Sequence, residues 1–435
     1  MGTISEQLFS SASLCVWLIV PHNRGFPSFE GDSMEPAVLT LKKNEDRRLR
    51  AGHLWVFSNE VDVQRTPLTG FEPGQVVEVQ ASNGKPLGSG YVNPASLICA
   101  RLVSRDPAHG LDRSLVVHRL NVALGLRERL YGRPFYRLVH GEADGLPGLI
   151  IDRFGDVVVV QINTAGMEAA RDAIVEGLQK VVRPSGILLR NDSGMRKLEQ
   201  LDSYVEAIGD VPESARLEEN GVEFEVSLAG GQKTGWFFDH RDNRAWVQGL
   251  VRGLARSGPP RILDVFSYVG GWGIEAAVAG AGEVWCVEAS AGALDYAERS
   301  AVLNGVGERM KFLEGDAFQA LKALRADGER FDVVVVDPPA FIKRRKDVKS
   351  GLEAYRRINQ AAMQLLGKDG FLVSASCSHH LRREQLVDIL QRSARHLDRR
   401  AQIIHQGHQA ADHPIHPAIP ETEYLKAFAV RVVSD

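Results

Sequence analysis

The pattern of apolar and polar positions divides the chain into three modules that differ in secondary structure. The first, residues 34–115, consists of short β-favouring runs separated by turn residues. The second, residues 116–215, begins with a helical stretch at 115–131 and then mixes strand runs with helical spacing at 167–182. These patterns predict a β-rich domain, then a linker helix and a small α/β domain. The predicted strands lie at 37–41, 76–80, 88–92, 98–103, 138–140, 149–153, 157–163 and 186–190.

The third module, residues 216–435, alternates strands with helices. The predicted strands lie at 261–266, 284–288, 311–314, 331–336 and 370–376, and the helices at 273–279, 291–304, 317–326 and 354–366. This alternation indicates an α/β fold with a mainly parallel, doubly wound sheet. Such sheets bind their ligands at the carboxyl ends of the strands, so we expect the chemistry directly after each strand.

The composition is that of an ordinary globular protein. The chain has 435 residues, of which 44% are hydrophobic and 25% are charged, which suits two or three domains with buried cores. No apolar run approaches the roughly 18–20 residues of a membrane span, and the longest near the start covers 14–20. We expect residues 1–33 to be a disordered leader or a mis-assigned start, with Met34 as the alternative first residue.

Charge and cysteine content narrow the possible partners. The net charge of −3 hides a small basic surplus over 34–133, which permits a nucleic-acid partner without requiring one. Four cysteines lie far apart with no C-x-x-C pair, which argues against a zinc site or a disulfide framework and suits a reducing cytoplasm. The late histidines match no common zinc spacing. The sequence therefore predicts a cytoplasmic protein with no metal and no membrane contact.

A glycine-containing turn after the first strand of the third module is the first candidate cofactor site. Glycines there let the backbone pass close to a nucleotide-like ligand, although the G-x-G-x-x-A match at 271–276 is weak alone. Glu288 ends the second strand and can accept both hydroxyls of a ribose, which NAD enzymes also exploit. The candidate residues of the turn are Asp264, Phe266, Tyr268, Gly270 and Gly271.

The residues at two further strand ends distinguish this candidate site from a dinucleotide-binding site. Asp316 follows the third strand and is placed to meet an adenine amino group. The fourth strand has an apolar run at 333–336 and leads into Asp337-Pro338-Pro339, whose prolines fix the backbone just outside the sheet. We expect Asp337 to face the site; a turn that only ends a buried strand is the alternative.

Cys377 follows the fifth strand and is the candidate nucleophile. A thiol at the carboxyl edge of a strand, beside the ligand crevice, can attack an electrophilic carbon. A buried apolar cysteine is the plainer alternative, and Cys99 and Cys286, within apolar strand runs, fit that description. Cys15 lies in the leader.

Three polar segments could contact ligands. The segment 232–244 is rich in groups that could line a pocket, or it is a capped helix start with Asp239 as the cap. Four consecutive basic residues after Asp337 could hold phosphates, or could form a solvated loop. Basic and aromatic residues at 42–57 suit RNA contacts, or a solvated helix face followed by core aromatics. The candidates are Lys233, Asp239 and Arg241 for the cofactor, and Arg47, Arg48, Arg50, Trp55, Lys343, Arg344, Arg345 and Lys346 for RNA.

Together, these strand ends resemble class I S-adenosylmethionine (SAM)-dependent methyltransferases. The segments 232–244, 337–341, 376–380 and 413–426 are similar to the bacterial large-subunit (23S) rRNA cytosine-5 methyltransferase I family. The resemblance covers about 36–433. It implies a PUA-like RNA-binding barrel from Ala37 to about Leu111, a central α/β domain, a Rossmann-like methyltransferase domain, SAM as cofactor and ribosomal RNA as partner.

The resemblance also implies a mechanism. A Cys377 thiolate would attack C6 of cytosine and make C5 able to take the methyl group, with Asp337 stabilising the ring. Pro338 would then contact the cofactor, and Pro339 and Phe341 the RNA. Many RNA cytosine-5 enzymes have a second cysteine where this chain has Pro339, so Cys377 would act alone. The base that removes the C5 proton is not identifiable.

Other functions stay open on the sequence alone. An amino-group methyltransferase acting on guanine N2 or adenine N6 needs no cysteine, and Asp337-Pro338-Pro339 with a following aromatic also suits such enzymes. A non-catalytic RNA-binding or ribosome-assembly protein would leave the cofactor residues unused. An NAD dehydrogenase would leave Asp337 and Cys377 unexplained. The oligomeric state, monomer or homodimer, is also open.

Overall fold

The computed structural model describes residues 37–231 and 234–434. The expectation for the leader 1–33 and the candidate residue Lys233 therefore lie outside the described residues. Within them, the chain forms three β-sheets and one two-stranded hairpin.

The first sheet has five strands in the order β1-β3-β4-β5-β2. Alternate residues of β3 point inward, and Val77 and Val79 are fully buried. A bridge between Leu41 and Val61 joins the two edges of the sheet, so the sheet closes into a barrel-like shape. Its elements are β1 (Ala37–Thr40), α1 (Arg47–Arg50), β2 (Trp55–Phe57), β3 (Val76–Gln80), β4 (Pro86–Val92) and β5 (Ile98–Ser104).

The second sheet has the order β10-β9-β8-β7-β6 and is covered by α2 and α4. Gly177 of α4 lies so close to α2 that an added Cβ would stand 3.0 Å from Leu120 Cδ1. The elements are α2 (Arg113–Leu130), β6 (Phe135–His140), β7 (Leu149–Phe154), β8 (Val157–Ile162), α3 (Ala165–Ala169), α4 (Arg171–Val181), β9 (Gly186–Asn191) and β10 (Tyr204–Gly209). A hairpin of β11 (Ser214–Glu219) and β12 (Val222–Ser227) follows.

The third sheet has seven strands in the order β15-β14-β13-β16-β17-β19-β18. Strands β13 to β17 are parallel, while β19 runs antiparallel between β17 and β18. The strand order reverses at β13 and β16, where ligands of doubly wound sheets bind. The first elements are α5 (Arg241–Leu254), β13 (Arg261–Val265), α6 (Gly271–Val278), β14 (Glu283–Glu288), α7 (Ala291–Leu303), β15 (Met310–Glu314) and α8 (Ala317–Ala326). The last are β16 (Phe331–Val336), α9 (Val348–Gln364), β17 (Leu366–Ser376), α10 (Arg383–His396), β18 (Arg399–Gly407) and β19 (Lys426–Ser434).

Buried polar contacts join the first sheet to the second domain. The Tyr91 hydroxyl donates to the Pro147 carbonyl at 2.7 Å, and its ring lies against Gly166, where a Cβ would come within 2.0 Å of the ring. Arg101 forms a buried ion pair with Glu199 at 2.9 Å. Because these groups are buried, the contacts hold the first sheet firmly on the second domain.

None of the helices in the described part of the chain is long and apolar enough to span a membrane.

Candidate active site

The turn after β13 has a strained backbone. Phe266 has φ 64° and Tyr268 has φ 50°, and Gly270 follows with φ 77°. Non-glycine residues rarely adopt this left-handed region, and such strain is concentrated at functional sites. The amides of Phe266 and Ser267 both donate to the Val287 carbonyl, at 2.9 and 3.0 Å. The turn is thereby held against the end of β14.

Asp264, in β13, binds the start of the helix that follows this turn. Its side chain is fully buried, and Oδ2 accepts the Gly273 amide at 2.9 Å. Burial raises the pKa of the Asp264 carboxyl to about 7, although the Gly273 amide opposes the shift. Gly273 packs tightly, since an added Cβ would stand 2.8 Å from Cys286 Sγ. Asp264 therefore fixes the first turn of α6 close to β14.

Glu288 and Asp316 follow the neighbouring strands β14 and β15. Glu288 Oε2 accepts the Tyr268 amide at 2.9 Å, and Oε1 accepts the amides of Ala289 and Ser290. Asp316 is exposed and caps α8, where Oδ1 accepts the Gln319 amide at 3.0 Å. A carboxylate has about four acceptor positions, so both groups retain capacity for hydroxyl or amino donors of a ligand. These acceptor oxygens suit the ribose hydroxyls and the adenine amino group expected of SAM.

Asp337 lies at the next strand end, directly after β16. Its Oδ2 is 3.2 Å from His240 Nε2 and accepts the Trp272 Nε1 hydrogen at 3.2 Å. Burial raises the pKa of the Asp337 carboxyl, but His240 and Trp272 outweigh it, and the pKa is lowered overall. The side chain is 21% exposed. An ionised, partly exposed carboxylate can accept hydrogen bonds from an amino group or a protonated ring nitrogen.

Cys377 follows β17, the parallel neighbour of β16, so it shares one sheet edge with Asp337. The residues on either side are fixed, because the Tyr355 hydroxyl lies 2.8 Å from both Ser376 Oγ and Ser378 Oγ. Cys377 is partly exposed, whereas the other two cysteines of the described segments, Cys99 and Cys286, are fully buried. Burial raises the pKa of both buried thiols, which makes them poor nucleophiles.

The two described candidates from 232–244 contact different partners. Asp239 is buried, and the Tyr424 hydroxyl donates to its Oδ2 at 2.6 Å. Tyr424 also lies near His379, with ring centroids 5.8 Å apart. The guanidinium of Arg241 pairs with Glu219 at 3.3 Å and packs over the Tyr131 ring. Asp239 therefore lies toward the Cys377 side of the site, while Arg241 is engaged by the hairpin.

The candidate RNA-binding residues form two surfaces. Lys343, Arg344, Arg345 and Lys346 are all exposed, next to Pro338, which is buried, and Pro339, which is exposed. Phe341 is partly buried, with its ring centroid 4.9 Å from that of Tyr355.

The second surface lies on the first domain. Arg47 and Arg50 are exposed, and Arg50 pairs with Asp46. Arg48 is half-buried and pairs with Glu60 at 2.5 Å. The Trp55 indole donates to Glu142 at 2.9 Å, so Trp55 also joins the first domain to the second.

Several residues of the site were missed by the sequence reasoning, namely His240, Trp272, Tyr355, Tyr424 and Lys426. Tyr424 and Lys426 lie in the segment that carried the family resemblance, which was the only available signal for them. The late histidines are used elsewhere: His413 pairs with buried Asp412 at 2.8 Å, and His405 stacks on Trp246. Among the described residues, no group of three or more His, Cys, Asp or Glu side chains is arranged to hold a metal.

Comparison with known proteins assigns this fold to a class. Residues 39–105 match a PUA-like domain model, and residues 194–431 match a model described as S-adenosylmethionine-dependent methyltransferase. The fold is that of SMU.776, whose crystal structure was solved in complex with SAH, with a TM-score of 0.76, 19% identity, and coverage of 92% of this chain and 100% of that chain. The protein is thus a SAM-dependent methyltransferase with a PUA-like domain.

Curated relatives define the family. The ribosomal RNA large subunit methyltransferase I of Aliivibrio fischeri (strain MJ11) is 38% identical over 400 residues, covering 90% of this chain and 98% of the relative. The protein of that name from Erwinia tasmaniensis is 37% identical over 402 residues, covering 91% and 99%. The chain belongs to the ribosomal RNA large subunit methyltransferase I family. The expected fold class and cofactor are confirmed.

Proposed function

We propose that the protein methylates C5 of a cytosine in large-subunit ribosomal RNA, with Cys377 as the nucleophile. The relatives are named for the large-subunit RNA, which supports the substrate class. The observation that carries the chemistry is the position of Cys377, the partly exposed cysteine at the sheet edge that it shares with Asp337. An amino-group methyltransferase has no use for a thiol there.

Cytosine C5 is a poor nucleophile until a bond forms at C6. The Cys377 thiolate donates an electron pair to C6, and the ring electrons shift so that C5 becomes enamine-like. Asp337, held ionised by His240 and Trp272, accepts a hydrogen bond from the ring and stabilises its protonated form. After C5 has taken the methyl group, it carries both the methyl group and its original proton. Loss of that proton to a base then restores the C5–C6 double bond and expels the Cys377 thiolate.

The cofactor residues follow from the remaining strand ends. Glu288 accepts the ribose hydroxyls, and Asp316 accepts the adenine amino group. The strained turn at Phe266, Tyr268 and Gly270 lines the rest of the cofactor site together with Gly271 and Pro338, and Asp264 holds the following helix start in place. SAM supplies a methyl group carried on a sulfonium.

Analysis of modified nucleosides tests this function. Large-subunit RNA is incubated with SAM in the presence and absence of the protein, digested and analysed by mass spectrometry. We expect 5-methylcytidine to increase. An increase in N2-methylguanosine or N6-methyladenosine would replace the proposal with the amino-group activity, and RNA binding without any methylation would favour an assembly role.

The carboxylate assignment predicts the effect of two substitutions on cofactor affinity. Glu288→Ala should weaken SAM binding by about 1–3 kcal/mol, the usual cost when buried polar groups lose a partner. Asp316→Ser should also weaken binding, and serine preserves the cap of α8. Glu314→Ala is the control. Glu314 is an exposed carboxylate at the end of β15, and its backbone lies in register with that of Glu288, so the variant removes a neighbouring negative charge that is not assigned to the cofactor. Calorimetry showing unchanged affinity in both site variants would contradict the assignment.

The basic run at 343–346 predicts how RNA affinity depends on salt. Each phosphate contact contributes about 0.7 to the slope of log K against log salt for single strands. Replacing all four residues with glutamine should weaken RNA binding and reduce the slope by up to about 3. Binding is measured by fluorescence anisotropy across a salt series, with Lys368→Gln as a control on an exposed, distant lysine. An unchanged slope would indicate a solvated loop.

A further inference from the structure

Lys426 begins β19 and lies beside the residues that flank Cys377. The Lys426 backbone pairs with Ser376 across the antiparallel strands β17 and β19. Its side chain reaches past this pair, and Nζ donates to the Ser378 carbonyl at 2.7 Å. Lys426 is therefore held to Ser376 by its backbone and to Ser378 by its ammonium, so it contacts both neighbours of Cys377.

Burial makes this cation unusual. Lys426 is 7% exposed, and lysine is almost never so buried without a partner. The Ser378 carbonyl that accepts its hydrogen bond does not neutralise the charge. A buried cation is stabilised most by a nearby anion. Lys426 contacts the residues on both sides of Cys377, and the negative form of the Cys377 thiol raises the pKa of Lys426.

The surrounding charges come from several elements. Arg383 on α10 opposes the Lys426 charge, and Glu423, just before β19, favours it. Tyr424 and Tyr355 are phenols whose pKa is raised, mainly by burial. Both phenols therefore stay neutral near pH 7, and neither adds a charge near Lys426 and Cys377. Asp239 accepts a hydrogen bond from the Tyr424 hydroxyl at 2.6 Å.

We propose that Lys426 is a positioning residue whose ammonium stabilises the thiolate form of Cys377. This inference rests on the proposed role of Cys377 as nucleophile. In the resting protein the Sγ–H proton leaves to solvent, and the thiolate is held beside the Lys426 ammonium. A cation close to a thiol favours its ionised and reactive form.

The proposal predicts a particular pH range for Cys377 reactivity. Burial lowers the pKa of Lys426 to about 8, so the ammonium is mostly present at neutral pH and is lost in alkali. The Lys426 ammonium therefore stabilises the Cys377 thiolate most below pH 8. In that range an ordinary thiol, with a pKa of about 8.5, is largely protonated. A purely structural lysine that only holds the Ser378 carbonyl would leave this profile unchanged.

The test is the pH dependence of thiol alkylation in the full-length protein. Iodoacetamide labelling of the Cys377 peptide is followed by mass spectrometry from pH 6 to 10, which separates Cys377 from the other cysteines. Wild-type protein is compared with Lys426→Met, Lys426→Arg and Lys368→Met. Lys368 lies on the same strand as Ser376 but at the other end, and it is exposed. Thermal melting and SAM binding confirm that each variant is folded.

We expect an apparent pKa below that of a free thiol in wild-type protein and in Lys368→Met. Lys426→Met should raise it by about one unit, with roughly tenfold slower labelling at pH 7, and Lys426→Arg should stay near wild type. Equal profiles for wild type and Lys426→Met would overturn the proposal. So would a wild-type apparent pKa at or above about 8.5, which needs no variant to fold. Labelling does not depend on methyl transfer, so this result stands apart from the test of the proposed function.

Discussion

Replacing Cys377 with serine should abolish methyl transfer while SAM binding survives. The hydroxyl keeps the shape of the side chain, but it is a far weaker nucleophile than a thiolate. Loss of a covalent nucleophile costs at least about a thousandfold in rate. Transfer of labelled methyl groups to large-subunit RNA measures the activity, and calorimetry measures the SAM affinity.

A matched substitution separates chemistry from stability. Cys99→Ala removes a fully buried thiol from β5 of the first sheet, whereas the candidate site lies at the strand ends of the third sheet. This variant should retain methyl transfer. Methylation at near wild-type rates by Cys377→Ala would eliminate the thiol mechanism and favour the amino-group activity. The same rate loss in Cys99→Ala would show that the assay reports on folding instead.

Replacing Glu219 with alanine should destabilise the protein severely. The carboxylate is fully buried and accepts Arg244 Nε at 2.7 Å and Trp236 Nε1 at 3.0 Å, and it also pairs with Arg241. Its removal takes this carboxylate from two buried guanidinium groups and leaves Arg244 with the longer contact to Glu275, at 3.6 Å. Breaking a buried ion pair from one side typically costs about 3–5 kcal/mol. Chemical denaturation should show that loss in the free energy of unfolding.

An exposed ion pair provides the control for Glu219. Asp369 pairs with Arg431 on the surface, where about half of the Asp369 side chain is exposed. Asp369→Ala should cost no more than about 1 kcal/mol, because solvent screens exposed pairs. If Glu219→Ala cost as little as Asp369→Ala, the buried cluster would not be what fixes Arg241 and Arg244 at the start of α5.

The elements that the sequence predicted best have strong local signals. The strand Phe331–Val336 and the helix Ala317–Ala326 have the predicted bounds. The strand contains four consecutive valines at 333–336, followed by Asp337 and two prolines, and Asp316 caps the helix with its own side chain. The candidate residues at the strand ends could be predicted for the same reason, since a parallel sheet brings its carboxyl ends to one edge.

The partners of those residues could not be predicted locally. The contact between Trp272 and Asp337 joins residues 65 positions apart, and that between Tyr424 and Asp239 joins residues 185 apart. Trp55 has the composition of an RNA contact, yet it lies in a short strand and bonds to Glu142. Arg241 lies in a polar segment that suits a pocket, but Glu219 on a separate hairpin engages it. Such pairings depend on tertiary packing, which local patterns do not encode.

Trapping of the covalent intermediate tests the central claim most directly. RNA carrying 5-fluorocytosine cannot release a proton from C5, so the bond between Sγ and C6 should persist after methyl transfer. With SAM present, we predict a covalent protein–RNA adduct that peptide mapping places on Cys377 and that Cys377→Ala cannot form. An adduct on Cys99 or Cys286, or methylation of that RNA without any adduct, would contradict the mechanism.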